Sequence, residues 1–500
     1  MSVRAGRAAR SLALPAVLDW PLAAVLAMAA AHAAVFSWLS VARYDAYWTG
    51  RFDVGNMVQA AFTTSRGHLL VNTDVAGDQV SRLASHVDPI LALFAPIFWF
   101  TTSAVPMLVI QSVAVASGAL PTFWLARRWL GDDRLAVAGA AVWLLYPPLQ
   151  WALVTEFHPV ALAAPLIMFA IWAAETRRDV ALGVCVGLAL LTKEQVGLSL
   201  AVLGVWIVVR QRRRIAGAVV SVVSLAWTAI AVLVIIPHYN DGQASAFTDR
   251  YGELGKGPRD VLTGLVTRPW DAAGTLASHH RLTYLAALLV PLLLLPLLAP
   301  LLAAAAVPDL LLNMLANWWP QYSIEFHYTA VIAPYLVAAA LLGLANLRRW
   351  TRPAPLHRAA SHGGAAAVAL VAAPLLVGVL YGPLPWFRDV TQASGYRIDQ
   401  YSAGAHARLL DRAVAMVPEG AVVSASNHPG SHLSARMRIL TWPVIADARW
   451  IVLDRTRPAI ADRIRPYEFA LRLAALEVRP EWERVFDEDG VMVFRRRAGQ

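Results

Sequence analysis

Long apolar runs alternate along the chain with arginine clusters and with loops that hold acidic and histidine side chains. About twenty consecutive apolar residues are enough for a helix to cross a bilayer. Applied to this sequence, that length predicts eleven membrane spans, near residues 20–42, 104–126, 134–152, 159–175, 179–193, 196–209, 215–237, 281–299, 301–316, 328–346 and 362–381. Because 179–193 and 196–209 are short, we expect them to form a helical hairpin. The pattern predicts an α-helical polytopic membrane protein.

The arginine clusters predict how these spans are oriented. They lie in alternate loops, at Arg127-Arg128, Arg177-Arg178, Arg212-Arg213-Arg214 and Arg348-Arg349. Arginine-rich loops are enriched on the cytoplasmic side of membranes. We therefore expect a multi-pass plasma-membrane protein with a cytoplasmic N-terminus and, after eleven spans, an extracytoplasmic C-terminus.

The composition agrees with this class and excludes others. Hydrophobic residues make up 58% of the chain and charged residues only 15%, against about a quarter charged in soluble domains. The net charge of +10 does not indicate nucleic-acid binding, because the arginines flank apolar runs. The single cysteine, Cys185, rules out a disulfide framework.

The loop 43–103 on the predicted outer side has a structure of its own. Apolar residues recur at helical spacing between Asp53 and Arg66, which predicts an amphipathic helix lying along the membrane surface. The segment 88–102 is apolar but contains Pro89 and Pro96, so we expect an interfacial or re-entrant piece there.

The chain becomes water-soluble from about residue 388. We predict strands at 421–426 and 451–454, a helix at 467–477 and a hairpin at 485–496. The chain is therefore expected to comprise a transmembrane module, 1–387, and a small extracytoplasmic α/β domain, 388–500.

Ionisable residues beside the spans form a limited set on the predicted outer side. Such residues are costly near lipid and usually have a function. They are Asp45, Asp53, His86 and Asp88 in the first loop, Glu156 and His158 after the third span, Lys193 and Glu194 at the hairpin tip, and Glu325, His327 and Tyr328 before the tenth span. The topology brings all of them to one membrane face, so we expect them to line one cavity.

Several of these residues belong to motifs that are similar to those of a known family. The motifs are Arg51-Phe52-Asp53-Val54-Gly55-Asn56 with Gln59, Ser85-His86-Val87-Asp88-Pro89, Glu156-Phe157-His158-Pro159, Thr192-Lys193-Glu194-Gln195, Gln321-Tyr322 with His327-Tyr328, and Ser424-Ala425-Ser426-Asn427-His428 with Ser434-Ala435-Arg436. With them the chain, from about residue 43 to 455, resembles the bacterial membrane-protein family called domain of unknown function 2079. That family in turn resembles the GT-C superfamily of membrane glycosyltransferases, which includes protein O-mannosyltransferases and aminoarabinose transferases.

The resemblance implies a function and a place for its catalytic acid. GT-C enzymes carry an acidic residue in the first outer loop, and Asp53 falls at that position. His86 with Pro89 is similar to the His-Pro-Pro stretch that follows, although Val87-Asp88 interrupts it here. The donors of the superfamily are polyprenyl-phosphate sugars. We therefore expect the partners to be the lipid bilayer, a polyprenyl-phosphate-linked sugar and an acceptor glycan, lipid or protein, with no nucleic acid.

Transfer of a sugar from such a lipid needs a base for the acceptor hydroxyl and a cation for the departing phosphate. We predict Asp53 as the base, Lys193 as the phosphate partner and His86 as a further catalytic residue, in a one-step reaction that inverts the anomeric carbon. Substrate contacts are predicted for Gln59, Asp88, Glu156, His158, Glu194, Glu325, His327 and Tyr328.

Other interpretations of these residues stay open. Asp53 is equally suited to capping its helix, and Lys193 to reaching the lipid headgroups or pairing with Glu194. The acid–histidine pairs allow a divalent metal, but they lack the i, i+4 spacing of a helical metal pair, so we predict no cofactor.

Two alternative functions also remain. A lipid or solute transporter, or flippase, predicts charged groups at the bilayer midplane and an internal repeat. A non-catalytic membrane protein whose outer domain binds a partner is the third possibility.

Overall fold

The computed structural model describes residues 19–251, 254–255, 258–350, 363–387, 398–459, 462 and 466–497. The predicted cytoplasmic N-terminus, before residue 19, and the predicted domain boundary at 387/388 involve residues outside this set. Most of the described chain is helical, and a small sheet lies near its C-terminal end.

Each predicted span coincides with a helix or with a broken series of helical segments. These are Trp20–Asp45, Val105–Leu130, Asp133–Leu145 followed by Pro147–Val154, Pro159–Glu175, Asp179–Leu190, Val196–Gln211, Arg214–Tyr239, His279–Leu289, Pro300–Leu315, Ile332–Trp350 and Gly363–Tyr381. Shorter helices, Pro258–Thr267 and Pro269–Leu276, lie in the loop that follows Tyr239.

Among the described residues, four of these helices are long and apolar enough to cross a membrane: Trp20–Asp45, Val105–Leu130, Arg214–Tyr239 and Gly363–Tyr381. A fifth crossing results if the pair bent by 41° at Tyr146 is one span. The number of eleven spans therefore stays a prediction.

The predicted continuous helix over 281–299 is wrong. The helix that begins at His279 ends at Leu289, and 3₁₀ turns follow at Val290–Leu292 and Leu295–Leu298. Between these turns Leu293 and Leu294 adopt φ of 54° and 56°, values that a continuous right-handed helix does not allow.

The two short helices do not form the hairpin that we expected. Asp179–Leu190 packs mainly on the preceding helix Ala163–Glu175, and Val196–Gln211 packs on the following Arg214–Ile230. At the second contact a Cβ on Gly204 would lie 2.5 Å from the carbonyl oxygen of Gly217, so glycine permits the close approach. The turn 191–195 between the short helices therefore faces elements other than these two helices, including the first loop.

The first loop folds into short elements packed together. A π-helix at Arg51–Gly55 leads into the helix Asn56–Ser65. There follow the two-stranded sheet of β1 (Val71–Thr73) and β2 (Gln79–Ser81), and 3₁₀ turns at Arg82–Ala84 and Pro89–Trp99. The helix predicted between Asp53 and Arg66 is present and packs on the Pro89–Trp99 segment, but Gln59 and Thr63 on its predicted polar face are buried. Its position along the membrane surface stays a prediction. The prolines explain why that segment is not an α-helix.

The C-terminal part contains a five-stranded mixed sheet. Its strands are β3 (Val423–Ala425), β4 (Ile439–Thr441), β5 (Trp450–Asp454), β6 (Trp482–Glu488) and β7 (Val491–Arg496), in the order β4-β3-β5-β7-β6. Strands β3, β4 and β5 are parallel, and β7 is antiparallel to β5 and β6. Helices Ala405–Ala415, Asn427–His432 and Pro466–Glu477 accompany it.

The predicted strands and hairpin of this part are confirmed. The hairpin turns at Asp489 and Gly490, with φ of 47° and 75°, the left-handed pair that a tight two-residue hairpin turn requires.

Candidate functional site

A polar cavity of about 160 Å³ lies where the first loop meets the turn 191–195 and the loops after Glu156, Tyr239 and Ile324. Its lining includes seven of the predicted site residues, all three proposed catalytic ones among them: Asp53, His86, Asp88, His158, Lys193, His327 and Tyr328. The expectation that distant motifs meet is thus met for these seven. Their chemical roles remain predictions.

Asp53 stands on the π-helical turn Arg51–Gly55. Such turns are rare in proteins overall, and those that occur are often found at functional sites. Its side chain is 55% exposed, and its carboxylate lies 3.4 Å from Nε2 of His158. Burial raises the pKa of Asp53, but the contact with His158, together with Arg82 and Arg250, lowers it overall. An ionised carboxylate therefore faces the cavity.

Glu156 does not line the cavity but lies behind the Asp53 turn. Its buried carboxylate accepts hydrogen bonds from the backbone N–H groups of Gly50, at 3.1 Å, and Val54, at 3.0 Å. Burial, and then the charge of Asp53, raise the pKa of Glu156 well above its ordinary value. The residue has a φ of 117°, a strained conformation typical of functional sites. Its position is that of a support for Asp53.

Two histidines form one wall of the cavity. The rings of His158 and His327 are stacked with centroids 3.5 Å apart. The Nδ1 atoms of both are buried and have no hydrogen-bond partner among the described residues. Gln111 fixes the backbone here, accepting from the His158 N–H at 2.8 Å and donating to the Glu156 carbonyl at 2.9 Å. Burial, and next the charge of His158, lower the pKa of His327.

His86 is oriented by Glu194, which does not line the cavity itself. Nδ1 of His86 lies 3.0 Å from Glu194 Oε1, and the Val87 N–H donates to the other carboxylate oxygen of Glu194 at 3.0 Å. Because a carboxylate only accepts, Nδ1 is the donor, which leaves Nε2 as an acceptor. Burial, and next the Lys193 charge, lower the pKa of His86. Phe247 stacks on the ring at 4.4 Å.

Asp88 is paired with Arg82. The guanidinium reaches both carboxylate oxygens at 2.6 to 2.9 Å, and the two side chains are only 3% and 6% exposed. The pair brings no net charge to the cavity.

Two cations in the cavity, Lys193 and Arg250, have no carboxylate partner within the part of the chain that the structure describes. No carboxylate of the described residues lies within ion-pair distance of Lys193 or Arg250. Nζ of Lys193 lies 5.6 Å from the centre of the Tyr328 ring. Arg250 donates to the Tyr328 hydroxyl at 3.2 Å and to Gln321 Oε1 at 3.3 Å. Together they form a positive patch suited to an anion.

Two further predicted residues lie away from this cavity. Gln59 is buried and bridges its helix to strand β1, donating to Thr73 Oγ1 and accepting from the Thr73 N–H, both at 2.9 Å. Glu325 lines a neighbouring cavity of about 710 Å³ between the helices His279–Leu289 and Gly363–Tyr381. Direct substrate contact in the first cavity is therefore not supported for these two, nor for Glu156 and Glu194.

The cavity also contains residues that the sequence analysis missed. Arg82 could have been found from the sequence, since it lies four residues before His86. Arg250 and Phe247 could not, because they stand alone in a long loop rich in glycine and aspartate. Asn56 donates to the Phe52 carbonyl at 2.9 Å, and its buried Oδ1 has no partner among the described residues.

The acid–histidine pairs do not converge as a metal centre within the described part of the chain. No group of three or more histidine, cysteine, aspartate or glutamate residues there is arranged so that it could hold a metal ion.

Comparison with solved structures identifies the fold. ArnT from Cupriavidus metallidurans in the apo state is similar with a TM-score of 0.51 and 14% identity, covering 94% of this chain and 97% of that chain. The same protein bound to undecaprenyl phosphate gives 0.50 and 12%, covering 95% and 98%. An Archaeoglobus fulgidus oligosaccharyltransferase tethered with an acceptor peptide gives 0.47 and 13%, covering 96% and 74%. The similarity to ArnT agrees with the fold that the motifs led us to expect.

The family follows from comparison of sequences. No curated protein matches the chain. Residues 43–492 match the family described as "Predicted membrane protein (DUF2079)". The chain is a membrane protein that belongs to this family.

Proposed function

We propose that this protein is a membrane glycosyltransferase that moves a sugar from a polyprenyl-phosphate donor to an extracytoplasmic acceptor. The observation that supports it most is a single cavity in which an ionised carboxylate, Asp53, shares the lining with two cations, Lys193 and Arg250. Neither cation has a carboxylate within ion-pair distance among the described residues. The GT-C fold is consistent with this activity.

The reaction that fits this arrangement is a one-step displacement. The acceptor hydroxyl oxygen forms a bond to the anomeric carbon while Asp53 takes the hydroxyl proton. The bond from that carbon to the phosphate oxygen breaks, and the phosphate leaves with the electron pair. Attack from the side opposite the phosphate inverts the anomeric carbon.

The leaving phosphate gains negative charge as its bond to the sugar breaks. Lys193 and Arg250 are proposed to bind it, because no described carboxylate lies within ion-pair distance of either cation. Tyr328 positions Arg250 through the hydroxyl contact at 3.2 Å. Charged donors held in place before the reaction stabilise a developing anion without reorganisation.

The isoprenoid chain is proposed to occupy the neighbouring cavity of about 710 Å³, whose lining is mostly apolar and aromatic. The segment 322–328 separates the two cavities, because Tyr322 and Glu325 line the larger one while His327 and Tyr328 line the smaller. A lipid lying across this segment would place its phosphate near Tyr328 and its chain against the helix His279–Leu289.

The orientation predicted from the arginine clusters completes the proposal. With this orientation the cavity and the C-terminal sheet lie on the extracytoplasmic side, where lipid-linked sugars meet their acceptors. A transporter is less well supported, because the charged residues of the cavity lie in loops and turns between the long apolar helices.

The proposal is tested in cells with and without the gene, by mass spectrometry of lipid-linked sugars and cell-envelope glycans. We expect one glycan to lose a sugar, and one polyprenyl-phosphate sugar to accumulate, in cells without the gene. Wild-type protein should restore both profiles and Asp53→Asn should restore neither. Identical profiles in all strains would contradict the proposal.

A further inference from the structure

The C-terminal part of the chain packs directly against the turn that holds Asp53. The short helix Asn427–His432 lies on the π-helix Arg51–Gly55. The motif that contains Asn427 begins within strand β3 and has no role in the proposed reaction. Its contacts show what it does.

The first N–H groups of a helix have no partner within the helix and need one elsewhere. Around the Asp53 turn, two separate segments of the chain supply acceptors for these N–H groups. Glu156 accepts from Gly50 and Val54, and Asn427 Oδ1 accepts from the Phe52 N–H at 3.1 Å. Phe52 is the residue immediately before Asp53, so the Asn427 bond holds the backbone at the base itself.

The two surfaces approach so closely that larger residues would not fit. A Cβ on Gly50 would lie 2.4 Å from Asn427 Nδ2, and one on Gly55 would lie 2.6 Å from Ser434 Oγ. The π-turn is therefore enclosed by the C-terminal part at both of its ends.

Arg51 adds a second anchor between the same parts. Its buried guanidinium donates to the carbonyl of Ile439, at the start of strand β4, at 2.9 Å and to that of Thr73 at 2.7 Å. Arg51 and Asp53 belong to one turn, so this anchor acts on the same backbone.

Asn427 is itself held in place from within the C-terminal part. The carboxylate of Asp462 accepts from the Asn427 N–H at 3.1 and 3.2 Å. The Asn427 side chain is thus presented to the first loop from a fixed backbone and is 8% exposed.

We propose that Asn427 is a positioning residue for Asp53, so that the C-terminal part completes the site by fixing the π-turn rather than by contacting the substrate. The inference rests on the proposed function for its catalytic consequence, but the contact itself is independent of the reaction. A displacement of about 1 Å of a reacting group costs about a hundredfold in rate.

The experiment compares two variants in the full-length protein reconstituted in lipid nanodiscs. Asn427→Leu removes the acceptor oxygen with little change in size, and Asn427→Asp retains it. The matched control is Asp411→Leu, which removes the hydrogen bond from the Tyr47 hydroxyl, 2.9 Å, that also joins the first loop to the C-terminal part.

Two readouts are measured, namely hydrogen exchange of the peptide 49–56 and sugar transfer from the polyprenyl-phosphate lipids that accumulate without the gene. For Asn427→Leu we expect faster exchange and a kcat lower by about 10- to 100-fold, with the KM for the lipid within about twofold. Asn427→Asp should recover most of kcat, and Asp411→Leu should leave exchange and kcat at their wild-type values.

The outcomes separate the two proposals. Unchanged exchange in Asn427→Leu overturns the positioning role, whatever the activity. Faster exchange with wild-type kcat overturns its catalytic consequence and leaves the proposed function intact. An equal loss of kcat in Asn427→Leu and Asn427→Asp overturns the role of the acceptor oxygen. No transfer by the wild-type protein contradicts the proposed function, and hydrogen exchange then still decides the contact.

Discussion

Replacing Lys193 by methionine tests the proposed phosphate site without damaging the fold. The ammonium has no carboxylate partner among the described residues, so its removal leaves no described carboxylate without its ion-pair partner. Methionine retains most of the apolar stem. We therefore expect Lys193→Met to unfold at the temperature of the wild-type protein.

The size of the effect follows from the contact that is lost. A hydrogen bond to a charged group contributes about 1.5 to 3 kcal/mol, and about 1.4 kcal/mol corresponds to a tenfold change in affinity. Lys193→Met should therefore weaken the binding of undecaprenyl phosphate by roughly 10- to 150-fold. Arg250 remains in the cavity, so binding should not vanish.

The assay titrates undecaprenyl phosphate against the purified protein in detergent and follows tryptophan fluorescence. Undecaprenol, which lacks the phosphate, should bind both proteins equally. The matched control is Arg66→Met, because Arg66 is an exposed cation of the first loop that stacks on Phe62 outside the cavity. A change in Kd of less than threefold for Lys193→Met, or an equal change for Arg66→Met, would refute the proposed phosphate site.

Three more variants test other parts of the site. In His158→Gln, Asp53 loses its contact with His158, which lowers the Asp53 pKa in the wild-type protein. Arg82, Arg250 and Glu156 face Asp53 in both proteins, so the loss of the His158 contact should raise the Asp53 pKa. Because the base must be ionised, the acid limb of kcat against pH should move to higher pH; an unmoved limb would rule out Asp53 as the titrating group. Asp88→Asn leaves the buried Arg82 charge unpaired and should cost about 3 to 5 kcal/mol of stability, seen as lower thermal stability in detergent. Ala287→Trp narrows the larger cavity and should weaken the binding of undecaprenyl phosphate by about tenfold. This is the loss of burial of about two methylenes at about 0.8 kcal/mol each. A five-carbon isoprenyl phosphate should keep its affinity.

The sequence was sufficient for the fold class and for most of the cavity. Apolar length located a helix or a series of helical segments at each of the eleven predicted spans, and the motifs included the Asp53 turn, His86 and Lys193. Each of these ionisable residues indicates a functional site by itself, because a charged group near lipid is energetically costly.

The sequence was not sufficient where the position or role of a residue depends on backbone geometry or on contacts between distant segments. The break after Leu289 depends on two leucines with left-handed φ, which apolar composition does not reveal. Glu156 looked like a substrate contact, but its carboxylate accepts backbone N–H groups of a distant loop. Arg250 reaches the cavity from a loop without any motif. Each of these outcomes depends on tertiary contacts between segments far apart in the chain.

The most direct measurement of the central claim is the rate of sugar transfer by Asp53→Asn in proteoliposomes. The donor is the polyprenyl-phosphate lipid fraction from cells that lack the gene, and Kd for undecaprenyl phosphate is measured in parallel. A general base contributes about 10²- to 10⁴-fold. We expect transfer to fall by about that factor while Kd stays within about twofold, because Asp53 acts on the acceptor rather than on the phosphate. Transfer at the wild-type rate would contradict the account.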